Sequence, residues 1–468
     1  METAISNSKT NTDKNNPSQT TRPIPYLPHT EKDRQDMLSA IGVASFDEII
    51  KSIPEKLRNF SLKLPQGKSE IEIFNDFNLL ANQNTSLNKQ ISFLGGGVYN
   101  RYIPAVVGEI LSKGEFYTAY TPYQPEASQG TLQAIYEFQT IICNLTGMDA
   151  SNASVYDGHN AVIEAALMAC RLTKRNKIIL SKGLNPEAIA VSKTYTWGCN
   201  LNIDFVNLAD GITDLKELDE LLDDQTACFI NANPNFAGCL EPQEKIAEIV
   251  HKKGALFINY IDLISLAVLK SPRDTGADIA VGDGQALGNY ANYGGPHIGF
   301  ISCLKEHIRQ LPGRIVGITK DNKGNQAFTL TLQTREQHIR RENATSNICT
   351  NQSLNALAVL VYLTYMGPSG LKTIAEISLN RAHYLLEQLK LIKNYKPAFN
   401  SPFFNEFVLE LPIKSSEFIE NLCNKNILPG LDLNGIDGYK NNQILVSVTE
   451  LNTQNDIDLF VQEVKNLK

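Results

Sequence analysis

The chain has 468 residues, of which 42% are hydrophobic and 20% charged, a soluble globular mix with enough length for one large domain and at least one smaller one. A formal charge of -7 and the lack of a long basic run exclude broad electrostatic attraction to nucleic acid. No uninterrupted apolar stretch reaches the roughly 20 residues of a membrane-spanning helix, and the eight cysteines form no Cys-x-x-Cys pair, which points away from a metal or redox motif and toward buried, reduced thiols in a cytoplasmic protein.

Residues 1–22, rich in Ser, Thr and Asn, read as a disordered tail without a secretion or import signature. Residues 23–130 read as an N-terminal helical arm followed by an interface loop. Thr30 and Asp33 can cap a first helix, and Ser45 and Glu48 have the reciprocal spacing of a second. From Leu94-Gly-Gly-Gly97 to Gln129-Gly130 the glycines, tyrosines and prolines leave little room for regular elements, so a long shaped loop is expected.

Residues 131–330 alternate between helices and short apolar strands. A helix over Thr131 to Thr146, stopped by Gly147, precedes apolar runs at Lys177–Leu180, Ile203–Val206, Ala227–Ile230 and Ala255–Ile258. Between the runs lie amphipathic segments, one opened by a capping box at Asp214 and Glu217 and another over Gln243 to Lys253. That order implies right-handed crossovers and a mainly parallel sheet covered on both faces. Residues 331–468 begin, after a hairpin turn near Asp321 to Gly324, with a helix from about Glu336 to Tyr365 ended by Gly367-Pro368. They finish as a smaller α+β domain with strands at Glu406–Glu410 and Ile444–Val448.

The usual short motifs for phosphate binding, zinc proteolysis and serine hydrolysis are missing. Gly282-Asp-Gly284-Gln-Ala-Leu-Gly288 has the wrong spacing, and the wrong place in the βα series, for a dinucleotide fingerprint. Two clusters remain. Tyr117-Thr-Ala-Tyr120-Thr121-Pro-Tyr123-Gln124-Pro-Glu126 puts rings and polar groups on a proline-stiffened loop, suited either to lining a binding site or to packing on a surface. Arg335, His338, Arg340 and Arg341 gather cationic groups suited to carboxylates or phosphates, or to a solvated helix in which Glu336 pairs with Arg340.

Those stretches, with Asn152–Gly158, Tyr293–His297, Leu311–Gly317, Leu332–Arg341 and Ala344–Cys349, resemble the P-protein of the glycine cleavage system, glycine dehydrogenase (decarboxylating), in the alpha subunit of its two-subunit form. The resemblance implies an α/β fold of the type I pyridoxal-phosphate-transferase kind, with a large, mainly parallel sheet domain and a smaller C-terminal α+β domain. It implies decarboxylation of glycine and passage of the aminomethyl group to the lipoyl arm of the H-protein. It further implies pyridoxal phosphate held by a partner beta subunit, because Gln285 or its neighbours stand where an imine-forming His-Lys pair is expected and an amide cannot form an imine. Tyr117, Tyr120, Thr121, Tyr123, Gln124 and Glu126 would then line the site or hold substrate. Arg335, His338, Arg340 and Arg341 would serve an interface or an anion. A self-sufficient pyridoxal-phosphate enzyme with an unconventional lysine and a catalytically silent scaffold or regulator of the same fold are the other readings.

Overall fold

A computed structural model describes residues 28–58, 64–65 and 67–467, so the expected tail over 1–22 lies outside the described residues, as does the chain from Pro23 to Leu27. The chain divides between Asn84 and Thr85 into two units.

The first unit is helical. Thr30 and Asp33 form the expected reciprocal cap on the helix Glu31–Ile41, which ends at left-handed Gly42. Ser45 and Glu48 do not reciprocate: the Glu48 carboxylate accepts instead from the Ala44 N–H at 3.4 Å, and the turn Phe46–Ile49 is only four residues long. After the short helix Glu55–Arg58, the helix Glu70–Ala81 is opened by Glu72 accepting from both the amide and the hydroxyl of Ser69.

The second unit is built on a seven-stranded sheet: β1 (Ala150–Ser151), β2 (Lys177–Ser181), β3 (Asn202–Val206), β4 (Thr226–Asn233), β5 (Leu256–Asp262), β6 (Ile279–Asp283) and β7 (Gly299–Cys303). The spatial order is β1-β7-β6-β5-β4-β2-β3. Strands β2 to β6 run parallel, and β7 is antiparallel to both β6 and β1.

Alternation along each strand decides the two faces. Ile179, Phe229, Phe257, Ala280 and Phe300 enter one core with α1 (Gln129–Thr146) and the helix Gln243–Lys252. Their neighbours Ile178, Leu180, Ile230, Ile258 and Val281 enter the opposite core under α2 (Gly158–Thr173) and α3 (Pro186–Cys199). Asp214 does cap its helix, but the Glu217 carboxylate turns away to Asn207, so the expected capping box is not formed.

The shaped loop after Gly97 carries two short helices, Ala105–Leu111 and Gly114–Tyr117, which its glycine and proline content concealed. The hairpin forms as expected, pairing Ile315–Lys320 with Gln326–Thr331. The long helix differs from its expected span. Residues 333–343 make only short turns, and the helix runs over Ser353–Lys390 with a break at Gly367 (φ 62, ψ -179), where Pro368 restarts it. Its length and apolar content would suffice to cross a membrane, yet Leu357, Val359, Tyr362, Ala375, Leu385 and Leu389 are buried, as in a core helix.

Four strands close the C-terminal part in the order Lys396–Pro397, Glu406–Glu410, Gln443–Ser447, Leu431–Asp432, all antiparallel. One face packs on helices through Phe407, Leu409, Ile444 and Val446, and the other meets Phe236 and Ala237 from the loop after β4. Ile91–Ser92 pairs in parallel with Ile427–Leu428, bringing the glycine run that follows it to this sheet. All eight thiols are free; Cys228, Cys239 and Cys303 are buried as expected, whereas Cys199 and Cys349 are exposed.

Arg101 crosses the same junction. Its guanidinium meets Glu450 at 2.7 Å and Ser378 at 3.2 Å with the side chains 2% and 8% exposed in the ion pair. Removing one partner strands the other charge out of water, so Arg101→Met is expected to lower unfolding free energy in urea by about 3–5 kcal/mol. A loss below about 1 kcal/mol would show that water already reaches the pair.

Candidate active site

In an open parallel sheet, ligand clefts form beyond the carboxyl ends of the strands. A cavity of about 60 Å³ lies there, past β4, β5 and β6, lined by Tyr99, Asn185, Asn235, Tyr260, Asp262, Asp283, Gln285 and Glu406 among others. Each side chain has a positional cause. Asp262 and Asp283 end their strands, Asn185 caps α3, and Glu406 opens the second strand of the small sheet.

Gln285 is 1% exposed and fully engaged. Its amide accepts from the Tyr99 N–H at 2.9 Å and donates to the carbonyls of Tyr99 at 3.0 Å and Asn289 at 2.9 Å. Asp283 accepts from the Gln285 N–H at 2.8 Å and, at the start of α2, from the Gly158 N–H at 2.9 Å. Glu406 accepts from the Gly96 N–H and the Tyr99 hydroxyl, both at 2.8 Å, while Asn185 donates to the Gly96 carbonyl at 2.8 Å. The chain from Gly95 to Tyr99 is thus fastened from three sides. Only glycine permits the approach, since a Cβ on Gly95 would stand 2.2 Å from a Glu406 oxygen and Gly96 has φ +75.

Pyridoxal phosphate, the cofactor the resemblance implies, does not fit this cavity. Three carboxylates and no lysine or arginine line it, a setting hostile to a phosphate dianion and unable to anchor an aldehyde. Burial pushes Asp262 and Asp283 above the usual carboxylate range and takes Glu406 up to about 7, against its two hydrogen bonds. The lysines considered from sequence stand elsewhere: Lys270 pairs with Glu244, and Lys305, Lys320 and Lys323 are exposed.

The two polar clusters of the sequence partly converge. Tyr123, Arg335 and His338 line a second pocket of about 210 Å³ together with Arg314, Glu336, Cys349 and Asn351. Arg314, which the sequence reading placed only inside a resembling segment, organises it. Its guanidinium donates to the Tyr123 hydroxyl at 3.0 Å and the Cys349 carbonyl at 2.7 Å, and it sits 5.4 Å from the centre of the Tyr123 ring. Arg335 is held by the carbonyls of Leu332 and Gly313, each at 3.1 Å. Glu336 approaches Arg314 at 3.7 Å and His338 at 3.6 Å, not Arg340 as expected, because the helix that would align them is four residues long.

Tyr117 and Tyr120, 70% and 83% exposed, border a third, apolar cleft of about 90 Å³ with Phe116, Leu354 and Leu357. Thr121, Gln124 and Glu126 line none of these clefts, nor do Arg340, whose Nε donates to the Thr334 carbonyl at 3.2 Å, and Arg341, which has φ 52. Sequence reasoning missed Tyr99, Asp262, Asp283 and Glu406. The available signal was an acidic residue at the end of a strand in a parallel sheet, or at the start of an otherwise apolar one.

The raised Glu406 pKa has a sign that can be tested. Taking about 4.5 for the unfolded chain and about 7 for the folded one, the folded state binds the proton more tightly. That stabilisation is complete below pH 4.5 and lost as pH rises through 7. Glu406→Gln keeps an acceptor for Gly96 and a donor for the Tyr99 oxygen without the charge. Its melting temperature should match wild type near pH 4.5 and exceed it near pH 8, where ionising Glu406 costs wild type up to about 3 kcal/mol. Parallel melting curves across that window would contradict this assignment.

Comparison with known proteins agrees with this geometry. The family profile of the glycine cleavage system P-protein matches residues 24–464. A protein of Chloroherpeton thalassium, named probable glycine dehydrogenase (decarboxylating) subunit 1, is 46% identical over 445 residues, covering 95% of this chain and all of the relative. A crystal structure of glycine decarboxylase (P-protein) of the glycine cleavage system, in inhibitor-bound form, is 40% identical with a TM-score of 0.87, covering 95% of this chain and 100% of that one. Glutamate decarboxylase of Lactobacillus brevis, 12% identical with a TM-score of 0.66 over 88% of this chain and 96% of its own, shares the fold alone. With its mainly parallel sheet and these likenesses, the chain has the fold of type I pyridoxal-phosphate enzymes and belongs to the P-protein family of the glycine cleavage system.

Proposed function

We propose that this chain is the first, non-cofactor-anchoring subunit of a two-subunit glycine dehydrogenase (decarboxylating), acting with a second, beta subunit and with the lipoylated H-protein in the cytoplasm. The reaction releases the carboxylate of glycine as carbon dioxide and passes the aminomethyl group to the lipoyl arm, with electron-sink chemistry supplied by pyridoxal phosphate on the beta subunit. One observation carries this division of labour. In a chain whose full-length relatives are named subunit 1, the cavity of its own fold is lysine-free, acidic and threaded by the chain from Gly95 to Tyr99. Eight free thiols support the cytoplasmic setting.

What this chain contributes is position. Arg314 holds the Tyr123 hydroxyl and faces its ring, so this aromatic side chain is ordered before any partner arrives. Tyr120 and Tyr123 stand 83% and 48% exposed on a loop stiffened by Pro122 and Pro125, which suits them to completing a site formed against another surface.

The purified chain is expected to show no absorbance from an internal imine and no lysine adduct after borohydride reduction in the presence of pyridoxal phosphate. Combined with the beta subunit it should decarboxylate glycine, and Tyr123→Phe should lower that turnover roughly tenfold, the effect of losing one ordered hydrogen bond of about 1.4 kcal/mol. A lone chain that turns yellow and decarboxylates glycine defeats the proposal. Unchanged turnover in both Tyr120→Phe and Tyr123→Phe would instead favour the silent scaffold.

A further inference from the structure

Three glutamines of the second unit use both ends of the carboxamide. Gln139 donates to the Val316 carbonyl and accepts from the Val316 N–H, each at 2.9 Å, Gln129 does the same with Phe328 at 2.8 Å, and Gln285 with Tyr99. Gln243 departs from this pattern. It is 5% exposed, yet neither its Nε2 nor its Oε1 has a hydrogen-bond partner in the protein. A buried carboxamide unpaired at both atoms is costly to keep, and a bound molecule that supplies both partners removes the cost.

Gln243 lines a cavity of about 340 Å³ at the start of the helix Gln243–Lys252. That helix is ten residues long and no side chain caps it, because Pro242 precedes it. Its positive end is therefore unanswered within the chain. At the rim Glu244 and Lys270 form an exposed ion pair at 2.6 Å, and the exposed Lys245 adds a second cation. Leu240 and Leu269 supply apolar wall. The end of β4 separates this cavity from the acidic one described above: Asn233 lines this side, and Ala232, Pro234 and Asn235 line the other.

An occupant must donate to the Gln243 Oε1 and accept from its Nε2. A main-chain amide can do both, but it carries no charge for the rim or the helix start. An α-amino acid meets every group at once. Its ammonium donates to Oε1 on the side of the Glu244 carboxylate, and its carboxylate accepts from Nε2 beside Lys245 and the helix start. We propose that this cavity binds a free α-amino acid through its ammonium and carboxylate, with the side chain against Leu240 and Leu269. The site contains none of the residues assigned above to glycine turnover, and it does not depend on the two-subunit reading.

The test titrates the full chain alone with L-alanine in a calorimeter. Saturable binding in the millimolar range is expected. Gln243→Leu should weaken it roughly tenfold or more, through loss of two charge-assisted hydrogen bonds, and should melt no lower than wild type because it removes an unpaired buried amide. Lys245→Glu, a change at an exposed position, should weaken binding roughly threefold by repelling the carboxylate. N-acetylglycine methylamide, which keeps a main-chain donor and acceptor without either charge, should give no measurable binding. The proposal is overturned by absence of saturable heat with the wild-type chain, by unaltered affinity in either variant, or by a methylamide that binds as tightly as alanine. A large drop in the melting temperature of Gln243→Leu also overturns it, since the amide would then be serving the fold.

Discussion

The reciprocal hydrogen bonds between Gln285 and the Tyr99 backbone are the constraint around which the second unit is arranged. They tie the turn that follows β6 to a segment that begins at the small sheet. With Glu406 and Asn185 holding Gly96, they convert a cleft between domains into a seam. Buried carboxylates tolerate this because each finds N–H or O–H donors; left bare in so small a space they would cost several kcal/mol apiece.

The exposed features follow from the same arrangement. Outside the seam the second unit carries an ordered tyrosine held by Arg314 and an apolar slot beside Tyr117 and Tyr120. The Arg101–Glu450 pair stiffens the junction beneath, between the chain leaving the glycine run and the C-terminal sheet. Rigidity there keeps the presenting surfaces in register.

Much of the fold was legible because the parallel strands are buried on both faces. Runs such as Lys177–Ser181 and Thr226–Asn233 therefore read as continuous apolar segments bounded by helices. The hairpin and the caps at Thr30 and Asp214 were equally readable, being local chemistry. What escaped was non-local. Glu217 found Asn207 rather than its own helix start, and Glu336 found Arg314 rather than Arg340, because tertiary partners outbid sequence neighbours. For the site, Gln285 was singled out in the sequence, but its tether to the Tyr99 backbone was not. Nothing in Leu94-Gly-Gly-Gly97 announces that it will run beside Glu406, more than 300 positions later.

The glycine run carries a last consequence, for reversibility. The volume between the domains is occupied by backbone that accepts a hydrogen bond from one domain and donates one to the other. An amine restored beside Gln285 would meet carboxylates and main chain instead of room for a coenzyme, and making that room would require the seam between domains to come apart. The seam is held at several points by main chain, and no single substitution opens it.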